Sequence, residues 1–92
     1  MEVSGKVVKV TPVQTVGTNN FKKCEVWITT EDQYPQTLSI EFTKELADEA
    51  QSIEIGTDLK ISINLRGRTW TNPEGVERCF NSIQAYKYES SF

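Results

Sequence analysis

Apolar and polar residues alternate through most of this chain, the two-residue period of strands with one buried face. Val3, Gly5 and Val7 share one parity, and Val8 and Val10 share the other. A phase change between adjacent valines predicts a β-bulge, or a strand passing from one half of a sheet to another, over Val3–Val13. Gly5 permits a bend there, and Pro12 brings the strand to its end. Gln14–Asn20 is polar, contains turn formers and reads as a loop. A second strand, Phe21–Thr30, turns Cys24, Val26 and Ile28 inward. Lys23, Glu25, Trp27 and Thr29 then lie outside. After a connection ending at Pro35, a third strand over 36–42 buries Leu38, Ile40 and Phe42 and exposes Thr37, Ser39 and Glu41.

The period changes at Thr43. Leu46, Ala47, Ala50 and Ile53 fit one face of a helix, which the spacing predicts over 44–52. Thr43 is its expected N-cap, and Glu45 suits the positive end of the helix dipole. Gly56 marks the exit. Leu59, Ile61, Ile63 and Leu65 then define a fourth strand over 58–68, with Lys60, Ser62, Asn64 and Arg66 outside and Gly67 as a candidate bulge. Asn72-Pro73-Glu74-Gly75 carries the residues of a type I turn. A fifth strand follows over 76–88. Ile83 and Ala85 are inside. Arg78, Phe80, Gln84 and Tyr86 lie opposite, unless a bulge turns Phe80 inward.

Three antiparallel strands, a helix and a closing hairpin make an all-β domain. The order predicts a five-stranded Greek-key OB-fold barrel with one short helix between strands three and four. An SH3-like small barrel competes but has less use for the helix. The domain is expected to occupy residues 1–88, with a short tail at 89–92.

Composition narrows the chemistry. The 92 residues include no histidine, which removes the commonest general base near neutral pH and most catalytic zinc sites. Cys24 and Cys79 are far apart, match no zinc spacing and are expected to be two small buried thiols. No motif asks for a cofactor or metal, and the chain is expected not to be an enzyme. No apolar run approaches the roughly 20 residues that span a membrane. The N-terminus lacks signal-peptide character, so a cytoplasmic location is expected.

The net charge of -3 argues against nucleic acid, but its distribution does not. Residues 1–24 carry +3, residues 25–58 carry -8 and residues 59–92 carry +2. A fold with one basic and one acidic face is possible. The stretch Arg66–Gly75 places Arg66 and Arg68 beside Trp70, and cations beside aromatic rings grip phosphates and stack on bases. On an OB-fold the ligand lies across strands two and three, between the first and last hairpin loops. Trp27, Lys23, Lys22, Phe21, Arg66, Arg68 and Trp70 are the expected binding residues. Structural alternatives compete, and Lys22-Lys23 could simply solvate a strand end. Trp27 could be covered by a second subunit, Trp70 could pair with Phe80 across the hairpin, and the arginines could pair with Glu74 or Glu77. Glu25 and Glu41 on the same face would repel phosphate.

The opening Met-Glu-Val-Ser-Gly-Lys-Val-Val-Lys-Val, the Lys22-Lys23 pair, the Gln33-Tyr34-Pro35 turn and the Ile83-Gln84-Ala85-Tyr86 ending resemble a family of small bacterial domains of uncharacterised function. Those domains are similar to the OB-fold of the bacterial single-stranded DNA-binding protein. The resemblance implies sequence-tolerant binding of single-stranded DNA, with RNA as a possible substitute, by a homo-oligomer active in DNA replication or repair. This chain lacks that protein's Gly/Gln-rich linker and strongly acidic tail, although it also ends in a phenylalanine, Phe92. The alternative function is an OB-fold protein-interaction or oligomerisation module that binds no nucleic acid.

Overall fold

The structure, a computed structural model, describes residues 1–90. It is mostly strand with one short helix. The elements are β1 (Glu2–Val10), β2 (Gln14–Val16), β3 (Phe21–Thr30), β4 (Thr37–Thr43), α1 (Glu45–Ala50), β5 (Asp58–Thr71) and β6 (Glu77–Ser90). Pairing runs in the order β1-β5-β6-β4-β3-β2, and β1 also pairs with β3. All pairs are antiparallel except β4 with β6, which meet in parallel at Glu41 and Gln84.

β1 serves two neighbours, as its phase change predicts. Glu2–Lys6 pair with β5 and Gly5–Val10 with β3, and the register shifts between Val7 and Lys9. Gly5 lies where both pairings overlap. A Cβ there would stand 2.5 Å from the Thr29 carbonyl oxygen and 2.9 Å from its carbon. Both atoms are backbone, so the glycine is required for close approach.

The core lies where the alternation puts it. Val26 pairs with Ile40 and Cys24 with Phe42, and all four are buried along with Val7, Ile28, Leu59 and Ile61. Ala47 and Ala50 are the buried residues of α1, and their small side chains let the helix sit close to the sheet. Cys24 Sγ donates to the Ala47 carbonyl at 3.7 Å. Burial raises the Cys24 thiol pKa. Tyr88 closes the helix side: its ring centroid is 5.5 Å from that of Phe42, and its hydroxyl donates to Glu49 at 2.9 Å.

Several expectations need correction. Residues 14–16 form a strand on Phe21–Lys23, too short and too polar for periodicity to detect. The helix is six residues, and Thr43 stays in β4. Lys44 occupies the N-cap position with φ 57°, without a side-chain cap; its N–H is held by the Lys22 carbonyl at 2.9 Å. The bulge in β5 falls between Ser62 and Ile63 rather than at Gly67, and it buries Ser62, which alternation places outside. Leu65 is 64% exposed because it lies where the strand leaves the core. Cys79 is exposed, not buried. β6 continues to Ser90, paired with Leu59, while Phe92 lies outside the described residues.

Candidate functional site

Beyond Ile63, β5 and β6 continue together as a two-stranded arm. Every residue from Asn64 to Thr71 and from Pro73 to Asn81 is exposed. Its tip is the expected turn. The Gly75 N–H donates to the Asn72 carbonyl at 2.9 Å, and Asn72 Oδ1 accepts from the Glu74 and Val76 N–H groups at 3.0 and 2.8 Å. Gly75 has φ 83°, the left-handed value that glycine adopts without cost.

The turn fixes the register, and the register decides what shares a face. Arg66 pairs with Ser82, Arg68 with Phe80 and Trp70 with Arg78. Strand side chains alternate between faces, so all six lie on one face of the arm. It is a checkerboard of three guanidinium groups and two aromatic rings. Trp70 is 51% exposed and Phe80 49%. Trp70 and Phe80 are diagonal neighbours, not the direct cross-strand pair that the sequence allows. Glu77 pairs with Thr71 on the opposite face. Among the described residues, no ion pair involves Arg66, Arg68 or Arg78.

The lysines differ. Lys22 Nζ binds Asp48 of α1 at 3.1 Å, directed to the helix rather than to the face of Trp27. Lys23 pairs with Glu41 at 3.6 Å, so the acid expected to repel phosphate instead meets a cation. Lys6 pairs with Asp58, and Lys60 with Glu2 and Glu89. Among the described residues, the three arginines of the arm form no ion pair, as is also true of Lys9, Lys44 and Lys87 elsewhere.

Trp27 is half-buried. Its indole N–H donates to Glu25 Oε1 at 2.9 Å, and Ser39 Oγ donates to the same oxygen at 3.0 Å. These bonds hold the Glu25 carboxyl below its ordinary pKa. Lys9 Nζ stands 4.7 Å from the Trp27 ring centroid, a cation–π contact. Phe21 is partly exposed at the start of β3, across from Val16.

A groove separates the body from the arm. Gln84 Nε2 donates to Glu41 Oε2 at 3.3 Å where β4 meets β6. Beyond that bond a depression of about 420 Å³ is lined by Glu41, Arg66, Arg68, Phe80, Asn81 and Ser82. The structure therefore gathers Arg66, Arg68 and Trp70, sets Trp27 and Lys23 on the neighbouring sheet face, and sends Lys22 elsewhere. Arg78 and Phe80 complete the arm, and Lys9 the Trp27 cluster, though none was among the expected binding residues. Counting back from the Asn72–Gly75 turn would have found Arg78 and Phe80. No sequence signal marks Lys9.

A family model described as a domain of unknown function, DUF3127, matches residues 2–89. The chain belongs to the DUF3127 family. No curated protein matches it. The DUF3127 match covers both the body and the whole arm, so the checkerboard belongs to the domain itself.

Proposed function

We propose that this DUF3127 domain is an OB-fold barrel that binds single-stranded DNA with little sequence preference and without catalysis. The circuit of pairings supports the barrel reading: β1, β3 and β4 form a meander, α1 follows, and β5–β6 return to β1 on one side and β4 on the other. The likeness to the single-stranded DNA-binding protein rests on this topology and on the motifs of the sequence.

The observation that carries the function is the arm face on which Arg66, Arg68 and Arg78 interleave with Trp70 and Phe80. Exposed rings offer stacking surfaces to any base, and nearby guanidinium groups neutralise phosphates. Neither contact reads base edges, so the binding is sequence-tolerant. Trp27 and Lys23 extend the path from the arm onto the body. Trp27 has less surface to offer than Trp70, since Lys9 covers one face of its ring and Glu25 holds its N–H edge.

Titration with oligo-dT, followed by tryptophan fluorescence at two salt concentrations, tests the proposal. Quenching that weakens as salt rises is expected. Folded protein that gives no quenching at low salt would overturn it.

A further inference from the structure

The arm is open along both edges among the described residues, since β4 meets β6 only at Gln84; the edge of β5 is the one that continues a paired edge of the body. β1 pairs with β5 only from Asp58 to Ser62, and the Ile63 N–H is taken by the Met1 carbonyl at 2.8 Å. From Asn64 to Thr71 the outer edge of β5 has no strand beside it among the described residues. An edge strand offers a row of unpaired N–H and C=O groups, and proteins usually blunt it with charged side chains, proline or a bulge. Asn64–Thr71 has no proline or bulge and pairs regularly with β6; only Arg66 and Arg68 charge it, and both stand on one face of the arm. A two-stranded ribbon with both faces in water is also marginal by itself and is stabilised by a third strand.

We propose that a second copy of this chain occupies that edge, with β5 pairing antiparallel to its symmetry mate about a two-fold axis at Thr69. Charge narrows the register, and the cation–aromatic pairing favours Thr69 over Trp70. An axis at Arg66 or Arg68 sets an arginine opposite itself, and an axis at Gly67 sets Arg66 opposite Arg68. An axis at Thr69 sets Arg68 opposite the mate's Trp70 twice, a favourable cation–aromatic pair, and Gly67 opposite the mate's Thr71. The self-complementary edge gives a closed dimer, not a filament. The four-stranded sheet that results doubles the arginine-and-aromatic face on one continuous surface. Two weak sites so joined bind a long strand far more tightly than either alone.

Sedimentation of the full chain across a concentration series, without nucleic acid, tests the dimer independently of the binding proposal. Wild type is expected to approach twice the chain mass. W70K places two cations opposite each other at each end of the pairing and is expected to weaken association at least tenfold. The doubly substituted R68E/W70K chain restores opposite charges in this register and is expected to recover it. Both positions lie on the exposed arm, and a thermal melt checks that each variant is folded. A wild-type monomer at every concentration, a dimer indifferent to W70K, or no recovery in R68E/W70K would each overturn the proposal.

Discussion

The indole N–H of Trp27 donates to Glu25 two residues along the same strand face, and Ser39 from β4 donates to the same carboxylate oxygen. The bonds favour the ionised acid, so the folded-state pKa lies below the ordinary value of 4.5. A depressed acid stabilises the fold above its unfolded pKa, and that contribution is lost as pH falls through the folded value. Glu25→Ala is expected to cost about 1 kcal/mol near neutral pH. The difference from wild type should shrink as pH drops below 4.5. Thermal melts of both proteins at neutral and acid pH check this; a constant difference would mean that the carboxylate bonds contribute nothing.

Gly5→Ala is expected to destabilise the domain by about 3 kcal/mol, at the upper end for overpacking. The added methyl meets backbone atoms of Thr29, and no rotamer change can relieve that contact. Urea unfolding should show a lower midpoint with an unchanged slope. A midpoint equal to wild type would mean that β1 and β3 can separate there without cost.

The two cysteines are expected to differ sharply in reactivity. Cys24 is buried with its pKa raised, and Cys79 is exposed on the arm. Only the thiolate reacts, and it must be reached by reagent. A disulfide reagent should modify one thiol per native chain, none in Cys79→Ser, and two in wild type after unfolding. Fast modification of Cys24 in the native state would contradict its packing against α1.

The arginines should be visible in salt dependence. For single strands the log–log slope is about -0.7 per phosphate neutralised, so removing Arg66, Arg68 and Arg78 together is expected to flatten the slope by about 2. Trp70→Ala should cost about 1–3 kcal/mol of affinity at any salt. These side chains are exposed, so thermal stability should change little. A slope unaltered by the triple substitution would move the phosphate contacts away from the arm.

Much of the body was legible because burial there follows parity: Cys24, Val26, Ile28, Ile40 and Phe42 all point where alternation places them. The phase change in β1 was legible too: the register shift between Val7 and Lys9 turns Val7 and Val10 toward the core, although Val8 itself stays exposed. Leu65 and Ser62 were not. Periodicity records which residues could share a face, but not where a bulge resets the phase or where a strand outruns its core. The N-cap failed for a related reason. Thr43 has the right side chain, but its pairing with Lys23 keeps it extended, and the left-handed turn passes to Lys44. Of the site, Arg66, Arg68 and Trp70 were legible from local composition. Their freedom from Glu77 depended on register, while the engagement of Lys22 and Lys23 depended on contacts between elements distant in sequence.

The double allegiance of β1 also constrains how the chain reaches its fold. Its second half meets β3 within about thirty residues, but its first half must wait for Asp58–Ser62. On a ribosome, β1 and β3 can therefore form a hairpin well before the other edge of β1 has a partner. Closing a loop of that span must be paid in chain entropy before its contacts give any return, which is the property of slow-folding β topologies. Gly5, which pairs with both neighbours, is the junction between the early and the late pairing. Folding speed, as well as final stability, should be sensitive to that one residue.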